Sequence, residues 1–219
     1  MPDYSDLRPH DRPDVRVPVP PVELDAELRA RLRECSACIL GVGGLGSNIA
    51  AMLLRSGLLT MTLVDFDRVD LGNLNRQLFF RDQVGMLKTE ALAATLTRID
   101  PDVRLTLVND TLTAENVADI SSGADVVIEA VDRADTKAMI INTVLRDLPN
   151  MPLVTASGLA GYGSANAIVT ERFADRLFVV GDLTSDVREG HPLFASRVMV
   201  AAAHQAHAVI RLLLGFPDP

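Results

Sequence analysis

The chain has 219 residues, 48% hydrophobic and 23% charged, with a formal net charge of -8. That length suits one domain around one buried core, and the composition excludes a disordered chain. The negative balance disfavours nucleic acid and anionic membranes as partners, and no apolar run reaches the roughly 20 residues that span a bilayer.

The opening segment MPDYSDLRPHDRPDVR is too polar for a signal peptide, so a cytoplasmic location is expected. Residues 1–20 contain Pro2, Pro9, Pro13, Pro18 and Pro20, a density that favours an extended arm. Residues 21–219 are then expected to form a single domain. Val22, Leu24, Leu28 and Leu32 fit a short amphipathic helix over Val22 to Glu34. Cys35 and Cys38 are the only cysteines; a zinc site of thiolates needs two more, so a structural role where helix meets strand is expected for them.

The run Ala37 to Val42 reads as a buried strand ending in a glycine cluster, followed by a helix from Ser47 to Ser56. Met61 to Val64 reads as a second strand, and Lys88 to Ile99 as a helix that Pro101 stops. Then come a strand over Val103 to Val108, a helix capped by Thr113 with Glu115 in its first turn, and the strongly apolar strand Asp125 to Ala130. Leu153 to Ala156 and Ala165 to Thr170 supply later strands, and Phe194 to Leu214 a long alanine-rich helix. The alternation predicts a Rossmann-like, doubly wound α/β fold: a mostly parallel sheet with helices on both faces and some antiparallel strands toward the C-terminus. His204 and His207 share one helix face, but no third ligand at helical spacing completes a metal site.

Gly41-Val42-Gly43-Gly44-Leu45-Gly46 matches G-x-G-x-x-G between a strand and a helix, the context that pattern requires. Gly41 permits the turn, Gly43 lets backbone approach a phosphate, and Gly46 allows close helix-to-strand packing. Asp65 ends the second strand, where a carboxylate can accept hydrogen bonds from ribose hydroxyls. The loop predicts nucleotide binding without choosing the nucleotide, and on it alone an NAD-dependent dehydrogenase would be favoured.

What chooses is the stretch Asp65-Phe66-Asp67-Arg68-Val69-Asp70-Leu71-Gly72-Asn73-Leu74-Asn75-Arg76-Gln77, followed by Gly85-Met86-Leu87-Lys88 and then Glu129-Ala130-Val131-Asp132. It resembles the D-x-D-x-V-x-x-x-N-L-x-R-Q…G-x-x-K signature of the ThiF/MoeB/HesA superfamily of ubiquitin-activating-like adenylyltransferases. The resemblance implies that Gly41, Gly43, Gly44, Gly46, Asp65, Asp67, Asn73, Arg76, Gln77 and Lys88 bind ATP. Within that set Asp65 would hold the ribose, Asn73 and Arg76 approach the phosphates, and Lys88 offset triphosphate charge. Asp132 would hold Mg²⁺, and Arg76, Lys88 and Asp132 would be the catalytic residues. The need is electrostatic: a carboxylate attacking an α-phosphate meets another anion, and pyrophosphate must be stabilised as it leaves.

Many relatives carry two zinc-binding C-x-x-C pairs, and some carry a downstream cysteine that accepts the acyl group; this chain has no cysteine after Cys38. Length and the missing pairs most resemble the short, zinc-free ThiF subgroup. That implies ATP and Mg²⁺ without zinc, and adenylation of the C-terminal carboxylate of a small ubiquitin-like sulfur-carrier protein with a diglycine end. The ThiS-like carrier of thiamine biosynthesis is the expected substrate. A homodimer is expected too, with Arg8, Arg12, Arg16, Arg31 or Arg33 as candidates to reach the partner's ATP. Three alternatives stand beside this reading: a related ATP-dependent tRNA-modifying dehydratase, an NAD-dependent oxidoreductase, and a non-catalytic carrier-binding scaffold.

Overall fold

The computed structural model describes residues 22–185 and 190–216. The proline-rich arm assigned to residues 1–20 lies outside them. Helix α1 (Val22–Glu34) has the expected bounds, and its Leu32 is driven into the core while Arg31 and Arg33 stay exposed in the last turn. Strand β1 (Ser36–Leu40) follows, and its alternation decides the layering. Ala37 and Ile39 join one buried cluster, Cys38 and Leu40 another. Successive strand side chains point to opposite faces, so both faces of this central strand are buried, as a parallel α/β sheet demands.

After β1 come α2 (Gly46–Arg55), β2 (Thr60–Val64), α3 (Lys88–Ile99), β3 (Arg104–Val108), α4 (Val117–Ser121), β4 (Val126–Glu129), α5 (Ala134–Asp147) and β5 (Leu153–Ala156). The chain then closes with β6 (Val169–Ala174), β7 (Leu177–Gly181) and α6 (Ala195–Leu213). The sheet has seven strands in the order β3-β2-β1-β4-β5-β7-β6, parallel throughout except for the antiparallel β6–β7 pair. This is the doubly wound sheet expected, with its antiparallel strand at the C-terminal edge. The chain passes from β1 to β2 on one side and later to β4 on the other. The crevice beyond the carboxyl ends of these strands is where such sheets bind ligands.

Two local expectations are corrected, and two further elements appear. The helix predicted from Thr113 starts at Val117, because Thr113 Oγ1 accepts from the Glu115 N–H at 3.3 Å and Asn116 Oδ1 accepts from the Thr113 N–H at 2.8 Å, which makes a turn first. The strand predicted over Ala165 to Thr170 begins only at Val169. Ser164 Oγ accepts from the Asn166 N–H at 3.2 Å and winds Ala165–Ala167 into a 3₁₀ turn, the side-chain competition that Ser favours. Helix α5 and strand β7 are absent from the sequence reading altogether. Ile140, Thr143 and Val144 form a buried i, i+3, i+4 stripe in α5, and β7 is an apolar run buried on both sides, so both signals were present.

Candidate nucleotide site

The glycine loop sits where the strand order reverses. The Gly41 N–H donates to the Val64 carbonyl of β2 at 2.8 Å, and the Ala130 N–H beyond β4 donates to the Leu40 carbonyl at 2.9 Å. Gly41 has φ +94°, and a Cβ there would lie 2.9 Å from the Ala130 carbonyl oxygen. A Cβ on Gly46 would lie 1.9 Å from the Gly41 carbonyl oxygen. Glycine is required at both for packing inside the protein. Gly43 is different: a Cβ there would meet only Gln77 Nε2, at 3.7 Å.

Asp65 holds the loop from below, its Oδ2 accepting from the Val42 N–H and its Oδ1 from the Asp67 N–H, each at 2.9 Å. Each carboxylate oxygen keeps acceptor capacity for a ligand hydroxyl. Ser47 and Asn48 do work that the sequence reading missed. Ser47 Oγ donates to the Gly43 carbonyl at 2.6 Å and accepts from the Leu78 N–H at 3.0 Å. Asn48 Nδ2 donates to the Gly44 carbonyl at 2.7 Å and to the Arg76 carbonyl at 3.1 Å. These bonds dock the segment of Arg76 and Gln77 onto the loop. They also turn the loop carbonyls inward. No side chain caps α2, and the N–H groups of Gly43, Gly44 and Leu45 have no acceptor among the described residues. Orphan amides at the start of a helix make an anion site.

Arg76 lies along this cradle, its Cγ and Cδ 3.5 and 3.7 Å from where a Cβ on Gly44 would stand. Its guanidinium donates only to neutral acceptors among the described residues, the Gly72 carbonyl at 3.3 Å and Asn75 Oδ1 at 2.8 Å. Gln77 is buried, and its Oε1 has no hydrogen-bond partner among the described residues. A buried polar atom without a partner is costly, so this one fits a site completed by a ligand or water. Lys88, at the start of α3, is buried and paired through Nζ with Asp67 Oδ2 at 2.6 Å, while Asp67 is half exposed. The expected triphosphate contact of Lys88 is therefore one it would share with Asp67. Asn73 is engaged locally, its Oδ1 accepting from the Asp70 N–H at 3.1 Å in the capping box of a 3₁₀ turn.

Asp132 follows β4 and is exposed, with no hydrogen bond or ion pair among the described residues. Among those residues no group of three or more His, Cys, Asp and Glu side chains converges. A single carboxylate fits Mg²⁺ all the same, because that ion is usually held by one or two carboxylates together with substrate phosphates. Cys38 is buried in β1, where burial pushes its thiol up to about 11, and the Cys35 thiol donates to the Arg31 carbonyl at 3.3 Å.

Other sequence candidates fall elsewhere. His204 Nδ1 lies 2.9 Å from Thr170 Oγ1 in a groove of ≈ 540 Å³ between α6 and β6, and His207 lines the same groove. Gln205, on the same helix, is buried, and its Nε2 donates to the Glu129 carbonyl at 3.1 Å. Phe178 is core, whereas Phe173 and Phe194 are exposed. A second groove, ≈ 600 Å³, lies across α2, α3 and α6, away from the glycine loop. No described helix is long and apolar enough to cross a membrane.

Comparison with known proteins identifies the family. The model of the ThiF family matches residues 19–219. The tRNA threonylcarbamoyladenosine dehydratase of Escherichia coli (strain K12) is 41% identical over 126 residues, covering 57% of this chain and 46% of that protein. Ubiquitin-like modifier-activating enzyme 5 of Aedes aegypti is 38% identical over 130 residues, covering 54% of this chain and 32% of that protein. The chain thus spans about half, or less, of the length of these relatives. The crystal structure of E. coli tRNA N6-threonylcarbamoyladenosine dehydratase in complex with ATP superposes with a TM-score of 0.78 at 26% identity, covering 85% of this chain and 88% of that one.

Proposed function

The chain belongs to the ThiF family, and on that premise we propose that it binds ATP over the glycine loop and adenylates a carboxylate. The observation that carries the reading is the cradle itself: unpartnered Gly43, Gly44 and Leu45 amides, the Arg76 stem against Gly44, and the Lys88–Asp67 pair. In the proposed reaction a carboxylate oxygen bonds to the α-phosphorus while the bond from that phosphorus to the bridging oxygen breaks. The products are an acyl-adenylate and pyrophosphate. Arg76 and Lys88 offset the charge that moves onto the leaving group, and the loop amides orient the α-phosphate. Asp65 would hold the ribose and Asp132 the Mg²⁺, which would supply charge neutralisation to the phosphates. No side-chain nucleophile is needed. The ATP complex of the dehydratase supports this nucleotide over NAD.

Two substrate classes have support. The likeness to tRNA threonylcarbamoyladenosine dehydratase runs through sequence and fold, and it favours the threonylcarbamoyl carboxylate of a modified tRNA base. The likeness to ubiquitin-like modifier-activating enzyme 5 supports the C-terminal carboxylate of a ubiquitin-like protein, the class to which a ThiS-like carrier belongs. A net charge of -8 weighs against a polyanionic partner. Thiamine biosynthesis in particular draws no support from either relative. Labelled pyrophosphate should enter ATP when the protein meets Mg²⁺ and the right carboxylate: tRNA bearing threonylcarbamoyladenosine, or a carrier ending in diglycine. Exchange with neither, in folded protein that also fails to bind ATP, would contradict the proposal.

A homodimer belongs to the same reading. The groove across α2, α3 and α6 exposes Phe80 and Met199 at its walls, the apolar face that a second copy would cover. Met199→Glu should then lower the mass seen by light scattering to that of a monomer; an unchanged mass would remove this face from the interface.

A further inference from the structure

We propose that Glu129 and Lys137 are positioning residues that set Asp132 for its metal; the inference rests on the reading of Asp132 just given. Asp132 has no side-chain partner of its own among the described residues, so its place is fixed by its backbone alone. Its neighbour Arg133 turns away to pair with Asp135, Nε to Oδ1 at 3.1 Å and Nη2 to Oδ2 at 2.6 Å. What holds the backbone around it is one buried carboxylate. Glu129 is the last residue of β4 and is fully buried. Its Oε1 accepts from the Val131 N–H at 2.8 Å. Its Oε2 accepts from Thr155 Oγ1 on β5 and from Lys137 Nζ on α5. The Glu129 carbonyl accepts from Gln205 of α6.

Four separate pieces of chain therefore meet on one residue, three positions before Asp132, and the Lys137 N–H donates to the Arg133 carbonyl at 2.9 Å on the other side. The loop from Ala130 to Arg133 is clamped at both ends. The same loop abuts the glycine turn, since a Cβ on Gly41 would meet the Ala130 carbonyl and Val131 Cγ1 at 2.9 and 3.1 Å. Net stability is a poor reason to keep a buried ion pair, because desolvation offsets much of its attraction and an apolar pair of similar volume often serves as well. Geometry is the better reason: a carboxylate with three donors in fixed directions specifies one loop conformation, and outer partners of metal ligands act in this way.

The test is ATP binding by calorimetry, in EDTA and across an Mg²⁺ titration, for wild type, Glu129→Asp, Lys137→Met, Lys137→Arg and Thr155→Val. Glu129→Asp keeps the charge but withdraws the carboxylate by one methylene. It should raise the half-saturating Mg²⁺ concentration about 10-fold or more while ATP affinity in EDTA stays within about twofold. Lys137→Met should do the same and Lys137→Arg should restore most of the loss. Thr155→Val, which removes one neutral donor, should give a smaller rise and serves as the test should the charged variants not fold. Folded Glu129→Asp with wild-type Mg²⁺ dependence would overturn the inference, as would equal losses with and without Mg²⁺, or a Thr155→Val titration identical to wild type. Wild type whose ATP binding ignores Mg²⁺ would instead sink the metal role of Asp132, and this inference with it.

Discussion

Gly43→Ala separates what the glycine loop does for the fold from what it does for a ligand. A methyl at position 43 would find only Gln77 Nε2, at 3.7 Å, which is ordinary van der Waals contact, and the backbone there is not in the left-handed region. Replacing Gly by Ala at such a position restrains the unfolded chain and stabilises by about 0.4–1 kcal/mol. The Gly43 N–H is one of the unpartnered amides, so the same methyl occupies space that a phosphate needs to approach the backbone. Forcing a methyl into close contact costs about 1–3 kcal/mol, which is roughly a 5- to 150-fold loss of ATP affinity. Gly46→Ala is the counterpart. Its methyl would lie 1.9 Å from the Gly41 carbonyl oxygen, against backbone that cannot move aside, so it should lower Tm by about 2–4 °C for each kcal/mol of strain. The assays are thermal unfolding and calorimetry with ATP. Gly43→Ala that binds ATP like wild type would show that no phosphate approaches position 43, and one that unfolds like Gly46→Ala would show that this glycine serves packing instead.

Other outcomes follow from single contacts. Asp132→Asn should lose far more turnover than nucleotide affinity measured without metal; equal losses would contradict its metal role. Arg176, in the turn between β6 and β7, donates to the Val144, Leu145, Leu148 and Met151 carbonyls at the end of α5, so Arg176→Ala should cost about 2–3 kcal/mol in urea unfolding, and no loss would show those carbonyls find water instead. Burial pushes the Asp182 carboxyl up, but the Ser185 and Thr184 donors and Arg197 outweigh it and bring it down to about 2 from 3.8. A carboxyl lowered on folding adds stability that is full above its unfolded value and is lost as pH falls from about 4 through 2. Asp182→Asn should therefore flatten the acid limb of stability over that window, and an unchanged limb would contradict the pairing.

The parts of the fold that sequence shows best are those where one local signal dominates. Apolar strands β1, β2 and β4 and the G-x-G-x-x-G turn were legible because burial on both faces and a glycine turn leave a plain pattern, and α1 was legible from its apolar spacing. Helix α5 buries only Ile140, Thr143 and Val144 of its 14 residues, one of them polar, so its stripe is short against a helix that is otherwise half-buried or exposed. The 3₁₀ turn at Ala165 was hidden because one hydroxyl, Ser164, decides it. In the site, the resemblance named residues that do gather at the loop: Asp65, Arg76 and Gln77 directly, with Lys88 through Asp67. It could not show Ser47 and Asn48, whose roles are bonds to backbone far along the chain, nor Glu129 and Lys137, eight positions apart across a loop and a helix turn. Long-range hydrogen bonds leave no periodicity for a sequence to display.

If the cations at positions 76 and 88 meet a triphosphate above the glycine turn, a crystal grown with ATP and Mg²⁺ will show it. Phosphate oxygens should then lie within hydrogen-bond reach of the Gly43 and Gly44 amides, the Arg76 guanidinium, and a Lys88 ammonium that still touches Asp67. Phosphates bound elsewhere, with Arg76 and Lys88 turned to solvent or left as they stand, would contradict it.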